Sequence, residues 1–420
     1  MKRRDFLLGT GAAGLAALSL RGGRSAQATA PALRPPRRLL VVFVAGGWDT
    51  CYAIDPKEPP LVDVPAGSVQ QFAGLDVFTD PSRPNVTGFF ERHAASTAIV
   101  RGIATDGIFH NECQRRIATG KRDDGQPDLA AMVGHDLGND LPIPYLVLGD
   151  IAFTGPYTVS AARVGATNQI VALLGDPAAD PAADPVAATE DALLHRYAQA
   201  SADRARATRG ALGYNRRRVD DFAAAIARGD RLRQLRGQLG TRGELQSFTS
   251  QIQLALDAVA QDVAHAVMLH TRLFWDTHAD NFQQASSHEN TFGPLTTLVD
   301  QLVTRPGRAA GSKMIDDTVV AVISELGRTP LLGGDPPHQG KGHWPLTSAL
   351  VIGAGVRGGQ AFGATTSGAA GMLIDLATGQ PSAAGIQPMY SHFIAGLLAL
   401  CGADPAAHLG TTPVFDAFLA

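Results

Sequence analysis

The strongest constraint on this chain is a set of continuous apolar runs of strand length, each stopped by glycine or a charged residue. RLLVVFVAGGWD begins at Arg38, and similar runs recur at STAIVRGI (96–103), IPYLVLGD (143–150), DTVVAVISEL (317–326) and TSALVIGAG (347–355). A strand wetted on one face alternates apolar and polar residues, whereas a strand apolar at every position has both faces covered. Helical stretches lie between the runs. The expected fold class is therefore α/β, a doubly wound and mostly parallel sheet with these runs as its parallel strands. With 420 residues, 45% of them hydrophobic, the chain has enough material for one large core.

Between about 185 and 272 the text changes to Ala-, Arg- and Leu-rich helical periodicity, which reads as a helical insertion or cap on a domain covering 38–420. GDPAADPAADPVAA, from Gly175, repeats a Pro-Ala-Ala-Asp unit and reads as a surface linker. At the N-terminus, MKRRDFLLGTGAAGLAALSL sets a basic cluster before a weakly apolar stretch, and Ala26-Gln27-Ala28 offers a small-residue cleavage site. Arg3 and Arg4 before Phe6 and Leu7 resemble a twin-arginine export signal. The expectation is a signal peptide over 1–28, a linker over 29–37, and a protein delivered to the periplasm or secreted. The apolar run over 6–20 falls short of the roughly 20 residues that span a bilayer, so no stable membrane anchor is expected after cleavage.

Charge excludes one class of partner. The 36 Lys and Arg nearly balance the 39 Asp and Glu, so the nonspecific basic face of a nucleic-acid binder is not expected. Cys51, Cys113 and Cys401 are too scattered for a disulfide framework; Cys401 reads as a buried core thiol, while Cys51 and Cys113 flank candidate site segments and can pair in an oxidising compartment.

In an open parallel sheet, ligands bind outside the carboxyl ends of the strands, so polar residues just after each run are the first candidates. RLLVVFVAGG delivers Asp49, STAIVRGI leads to His110, and DTVVAVIS delivers Glu325 with Arg328 close behind. FWDTHADN adds Asp276 and His278, whose i, i+2 spacing puts both side chains on one side of an extended backbone. GKGHWP adds His343 in a glycine-flanked turn. Mixed carboxylate and imidazole donors suit zinc, manganese or iron better than calcium or magnesium.

GGWD, His followed by TG, WDTH, SELGRTP and GHWP, in that order over roughly 38–402, resemble a family of exported bacterial proteins related to sulfatases and alkaline phosphatases. The resemblance implies an alkaline-phosphatase-like sheet with one or two divalent ions, zinc or manganese, at its carboxyl edge. It implies Asp49, Asp276, His278, Glu325 and His343 as metal ligands. The family turn Gly-x-Asp-His-Trp has Gly342 at its aspartate position, so a weakened second metal site is open, as is compensation by His338 or Asp335. In sulfatases the frame Cys-x-Pro-x-Arg-x-x-x-x-Thr-Gly carries the nucleophile, and counting back from Thr119-Gly120 places His110 there. His110 is then open as a metal ligand, a catalytic nucleophile or base, or a structural residue. Arg328 is open as a catalytic anion holder or as a group that pins Asp49 or Glu325. The remaining histidines read as surface or capping residues.

The function these readings imply is an exported, metal-dependent hydrolase of phosphate or sulfate esters, with a small anionic ester or anionic glycan as its partner. The alternative is a noncatalytic envelope protein that binds metal or anion on the same fold.

Overall fold

The computed structural model describes residues 34–164, 188–208, 213–234 and 247–420. The export segment, the start of the linker and nearly all of the Pro-Ala-Ala-Asp repeat lie outside the described residues. Arg34–Ala420 forms one compact unit.

The strands are β1 (Arg38–Phe43), β2 (Ser68–Phe72), β3 (Leu75–Thr79), β4 (Thr97–Ala104), β5 (Tyr145–Val147), β6 (Ala161–Arg163), β7 (Ala266–His270), β8 (Thr318–Ile323), β9 (Gly327–Arg328), β10 (His343–Trp344), β11 (Leu346–Gly353) and β12 (Gln360–Phe362). Eight of them form the central sheet in the order β12-β4-β11-β8-β1-β7-β5-β6. The helices used below are α1 (Pro84–His93), α2 (His110–Thr119), α3 (Leu129–Gly138), α4 (Ala188–Ala207), α5 (Gly213–Gln234), α6 (Phe248–Ala260), α7 (Gln283–Thr304) and α8 (Tyr390–Cys401).

β1 shows how the apolar text builds the sheet. Every residue of RLLVVF is buried. Side chains alternate across a strand, so Leu40 and Val42 enter the core on one face, with Phe89 of α1, Ile252 of α6 and Phe292 of α7. Leu39, Val41 and Phe43 enter the other, with Met132 of α3 and Phe393 of α8. Burying one such side chain contributes about 1.5–3 kcal/mol relative to leaving it in water, so a polar substitution here on either face is costly.

The sheet differs from the sequence expectation in two ways. β11 runs antiparallel to both β8 and β4, while the other pairings are parallel. A parallel return needs a crossover, usually a helix, packed over the sheet. Here the chain between β8 and β11 stays at the carboxyl edge, folding into the β9–β10 hairpin, and so re-enters the sheet from that edge. Second, the reading of 185–272 as a helical insertion overruns. α4 and α5 fit it, but Phe248, Ile252 and Val259 of α6 are core residues, and β7 pairs in parallel with β1 from Leu39↔Ala266 to Phe43↔His270. AVMLH is too short for periodicity to distinguish a buried strand from helix.

Cys51, Cys113 and Cys401 are all buried free thiols, so the Cys51–Cys113 bridge does not form. Cys51 packs in a small cluster with Val62 and Ala369, and Cys113 is enclosed on α2 beside Gly107. Burial pushes the Cys401 thiol up to about 12, as expected of an inert core residue. No helix among the described residues is long and apolar enough to cross a membrane.

Candidate metal centre

The carboxyl ends of β1, β7 and β8 adjoin in the sheet, which brings together loops far apart in sequence. After β1 the chain turns through Gly46 and Gly47, at φ +119° and +80°. A Cβ at Gly46 would sit 2.9 Å from the Trp275 Cβ, so only glycine lets this turn lie against the WDTH segment. The β9–β10 hairpin pairs His343 with Arg328, tying GHWP to SELGRTP. α2 starts at the far side with His110 as its first residue.

His110, Asp276 and His343 converge: one ligand atom from each lies within 4.8 Å of the others. Asp276 is the hub. Its Oδ1 lies 3.1 Å from His343 Nε2 and 3.0 Å from His278 Nε2, and its Oδ2 lies 3.4 Å from His110 Nε2. His278 is exposed and sits outside the closest three, with its Nε2 2.9 Å from that of His343. Burial pushes the Asp276 carboxyl up, but the Arg328 hydrogen bond and the positive charge around it outweigh that and hold it at about 2. Asp276 is thus ionised throughout the neutral range.

The arrangement fits a cation. His110 Nε2 is buried without a hydrogen-bond partner, although it points toward a carboxylate. The facing Nε2 atoms of His278 and His343 can share at most one proton between them, so at least one lone pair is directed at its neighbour. The other ring nitrogen of His343 is fixed by the Ile108 carbonyl at 2.6 Å, and that of His110 by Glu325 Oε1 at 2.8 Å. Such hydrogen bonds set the tautomer that leaves Nε2 free to ligate. The Glu325 hydrogen bond raises the His110 pKa above its ordinary value, against the opposing pull of burial.

The remaining candidates take other places. Glu325 is fully buried behind His110, where Oε1 also accepts from the Gly46 amide at 2.7 Å and Gln114 Nε2 at 3.3 Å. Its Oε1 thus faces three nitrogens, one of them on His110, so Glu325 braces that histidine from behind and lies outside the convergent group. Asp49 is likewise outside the group. Its Oδ2 accepts from Lys341 Nζ at 2.7 Å and Asn281 Nδ2 at 3.1 Å, and its Oδ1 from the Cys51 amide at 3.2 Å. His338 and Asp335 are both exposed on the 330–340 loop, outside the convergent group. Lys341, next to Gly342, is fully buried, and its ammonium, paired with Asp49, also lies 5.1 Å from the centre of the Tyr52 ring.

Arg328 pins loops. Its Nε donates to the Gly47 carbonyl at 2.8 Å and a terminal nitrogen to that of Lys341 at 3.1 Å. The other terminal nitrogen binds the Trp275 carbonyl and Asp276 Oδ1, at 2.9 and 2.8 Å, and the Gly46 carbonyl. The side chain is fully buried and orients Asp276; of the two readings left open, anion holder or pinning group, the contacts are those of a pinning group, with Asp276 as the carboxylate and not Asp49 or Glu325.

Two histidines expected at the surface or at caps are buried in the core: His288 is stacked against Trp48 with Nε2 3.0 Å from the Asp49 carbonyl, and His265 lies 3.0 Å from the Arg37 carbonyl. His392 is half-buried and accepts the Met389 amide, capping the start of α8. Lys341 and the supporting Asn281 and Gln284 escaped sequence reading because lysine and amides are ordinarily solvent residues. The only textual hint was the position of Lys341 between two glycines.

Residues 36–374 match the family model described as Protein of unknown function (DUF1501). The chain belongs to that family. No curated protein matches it in sequence. Among solved structures, the chain is similar to the lipoteichoic acid synthase LtaP from Listeria monocytogenes at 10% identity and TM-score 0.38, covering 90% of this chain and 74% of that one. It is similar to the C-terminal periplasmic domain of EcEptC from Escherichia coli at 9% identity and TM-score 0.39, covering 93% and 91%. A protein in the alkaline phosphatase superfamily from Vibrio parahaemolyticus matches at 11% identity and TM-score 0.37, covering 88% and 67%. Superpositions this loose carry no argument about chemistry, which rests on the site itself.

Proposed function

We propose that this DUF1501 protein is an exported, metal-dependent hydrolase of phosphate or sulfate esters. It holds one divalent cation, zinc or manganese, on His110, Asp276 and His343, with His278 beside them. The observation that carries the reading is the buried, unpartnered Nε2 of His110 aimed at an ionised Asp276 from a ring that Glu325 braces. Two or three imidazoles and one carboxylate are a donor set for zinc or manganese. Such an ion, when bound, polarises an ester oxygen and acidifies a water ligand.

The chain's own groups divide the remaining work. Asp276 supplies negative charge that Arg328 keeps oriented. Glu325 fixes the His110 tautomer, and His278, exposed at the rim, is placed to accept a proton from water. The amides at the start of α2 face an anionic ester with the positive end of the helix. Lys341 satisfies Asp49, which supports a single-ion centre over a two-ion one. The substrate is accordingly a small anionic ester or an anionic glycan.

Purified protein loaded with zinc or manganese is to be assayed on 4-nitrophenyl phosphate, bis(4-nitrophenyl) phosphate and 4-nitrophenyl sulfate. The proposal expects turnover of at least one, abolished by chelation and by His343→Ala. Absence of turnover with metal demonstrably bound would instead favour the second reading, a noncatalytic metal- or anion-binding envelope protein. One observation already leans that way: the buried Arg328 guanidinium, committed to carbonyls and Asp276, has no place for a substrate anion.

A further inference from the structure

A second concavity lies at the other end of α2, enclosing about 570 Å³ between Thr119, Lys121, the Gly155–Ser160 turn, Arg218 and Asp221 of α5, and His408. That volume is within the range of small-molecule sites. The ten residues of α2 separate it from His110 by about 15 Å, so it is distinct from the metal centre. Its walls are fixed. Arg228 of α5 is buried and donates to the Val159 carbonyl at 2.9 Å and to Asn139 Oδ1 at 2.8 Å, clamping α5 onto the turn. Tyr157 stacks on His135 at 4.0 Å with the rings 11° from parallel, and His408 Nε2 is held by Asp136 at 2.6 Å.

Within these walls one cation is conspicuously under-used. Lys121 is half-buried, and its ammonium donates to Gln126 Oε1 at 3.0 Å. Among the described residues no carboxylate forms an ion pair with it, although an ammonium has three protons to give. Arg218 and Asp221 of α5, a cation and a carboxylate, also line the cavity, the carboxylate offering acceptors to hydroxyl groups. The Thr158 hydroxyl and the Tyr157 ring complete a lining suited to a hydroxylated, negatively charged molecule.

We propose that this cavity is an oxyanion-binding site, in which Lys121 holds a phosphate, sulfate or carboxylate group and the polar wall accommodates a body of monosaccharide size.

The test is calorimetric titration of metal-stripped full-length protein with inorganic phosphate, glucose 6-phosphate and glucose. The expected result is binding of both anions and not of glucose, with affinity lowered at least tenfold in Lys121→Met, restored in Lys121→Arg, and unchanged in His343→Ala. Tighter binding of glucose 6-phosphate than of phosphate identifies the anion as one carried on a sugar-sized body; equal binding identifies free oxyanion as the ligand. No anion binding, or binding that survives Lys121→Met, overturns the proposal. So does binding that His343→Ala abolishes, since the anion then belongs to the metal centre. Because the metal is removed and His343→Ala is the control, failure here leaves the hydrolase reading untouched, and failure there leaves this one untouched.

Discussion

At the scale of single residues, the site separates groups that face the proposed cation from groups that hold them. Glu325→Gln keeps the shape behind His110 but removes the charge that fixes its ring. Second-layer partners of this kind cost about 10–100-fold in metal affinity when changed, so zinc titration of E325Q is expected to show a loss in that range with an unchanged fold by circular dichroism. Lys341 and Asp49 make a different prediction. Both are buried, with side-chain exposures of 0% and 1%, and removing one leaves an uncompensated charge inside the protein. Breaking such a pair costs about 3–5 kcal/mol, whereas replacing both partners with neutral groups costs much less. Urea unfolding is therefore expected to show Lys341→Met as severely destabilised and the Lys341→Met, Asp49→Asn double variant as largely recovered. A double variant no more stable than the single would place the importance of Lys341 elsewhere. Asp49 was legible as a strand-end carboxylate, and its partner was not, because nothing local in GKGHWP says that a lysine turns inward.

At the scale of elements, the strand ends were legible and their connections were less so. β1, β4, β5, β8 and β11 all coincide with apolar runs, since strands covered on both faces are apolar at most positions. The direction of β11 is a property of the route taken by the 324–345 segment and leaves no mark on the strand's own residues. β7 was hidden inside helix-rich text, and with it the reason WDTH reaches the site: it follows the strand next to β1. Of the residues expected to ligate, His110, Asp276 and His343 converge and His278 borders them, while Asp49 and Glu325 follow the right strands but sit one layer deeper. The turn after β1 gives an element-level test. Alanine at position 46 meets the Trp275 backbone and side chain from a φ that L-residues rarely adopt, a strain of about 1–3 kcal/mol. Gly46→Ala is expected to displace WDTH and weaken zinc binding, whereas Gly88→Ala, whose Cβ meets nothing within 4 Å, is expected to leave it intact.

For the whole molecule, buried histidines set the pH response. Burial holds His265 at about 4 and His288 at about 3, both below the ordinary value near 6.5. The unfolded chain therefore binds more protons than the native one below about pH 6.5, and stability falls as pH drops through that window. Asp128 acts in the opposite sense: burial raises its carboxyl to about 6, so the native state holds an extra proton between about pH 4 and 6. Two histidines with larger displacements outweigh it. Urea midpoints are expected to fall from about pH 7 to about pH 5 in metal-free protein, and a flat or rising profile would contradict the burial of these rings. The α/β architecture was readable from apolar runs alternating with helical stretches; the inward histidines were not, because one-dimensional text does not show which imidazoles the core encloses.

The most direct test of the central claim is elemental analysis of purified protein alongside its variants. A single-ion centre on His110, Asp276 and His343 requires one equivalent of zinc or manganese, lost in His110→Ala and His343→Ala and retained in the Lys341→Met, Asp49→Asn double variant. Metal retained in His343→Ala, or two equivalents of which the double variant loses one, would contradict the account.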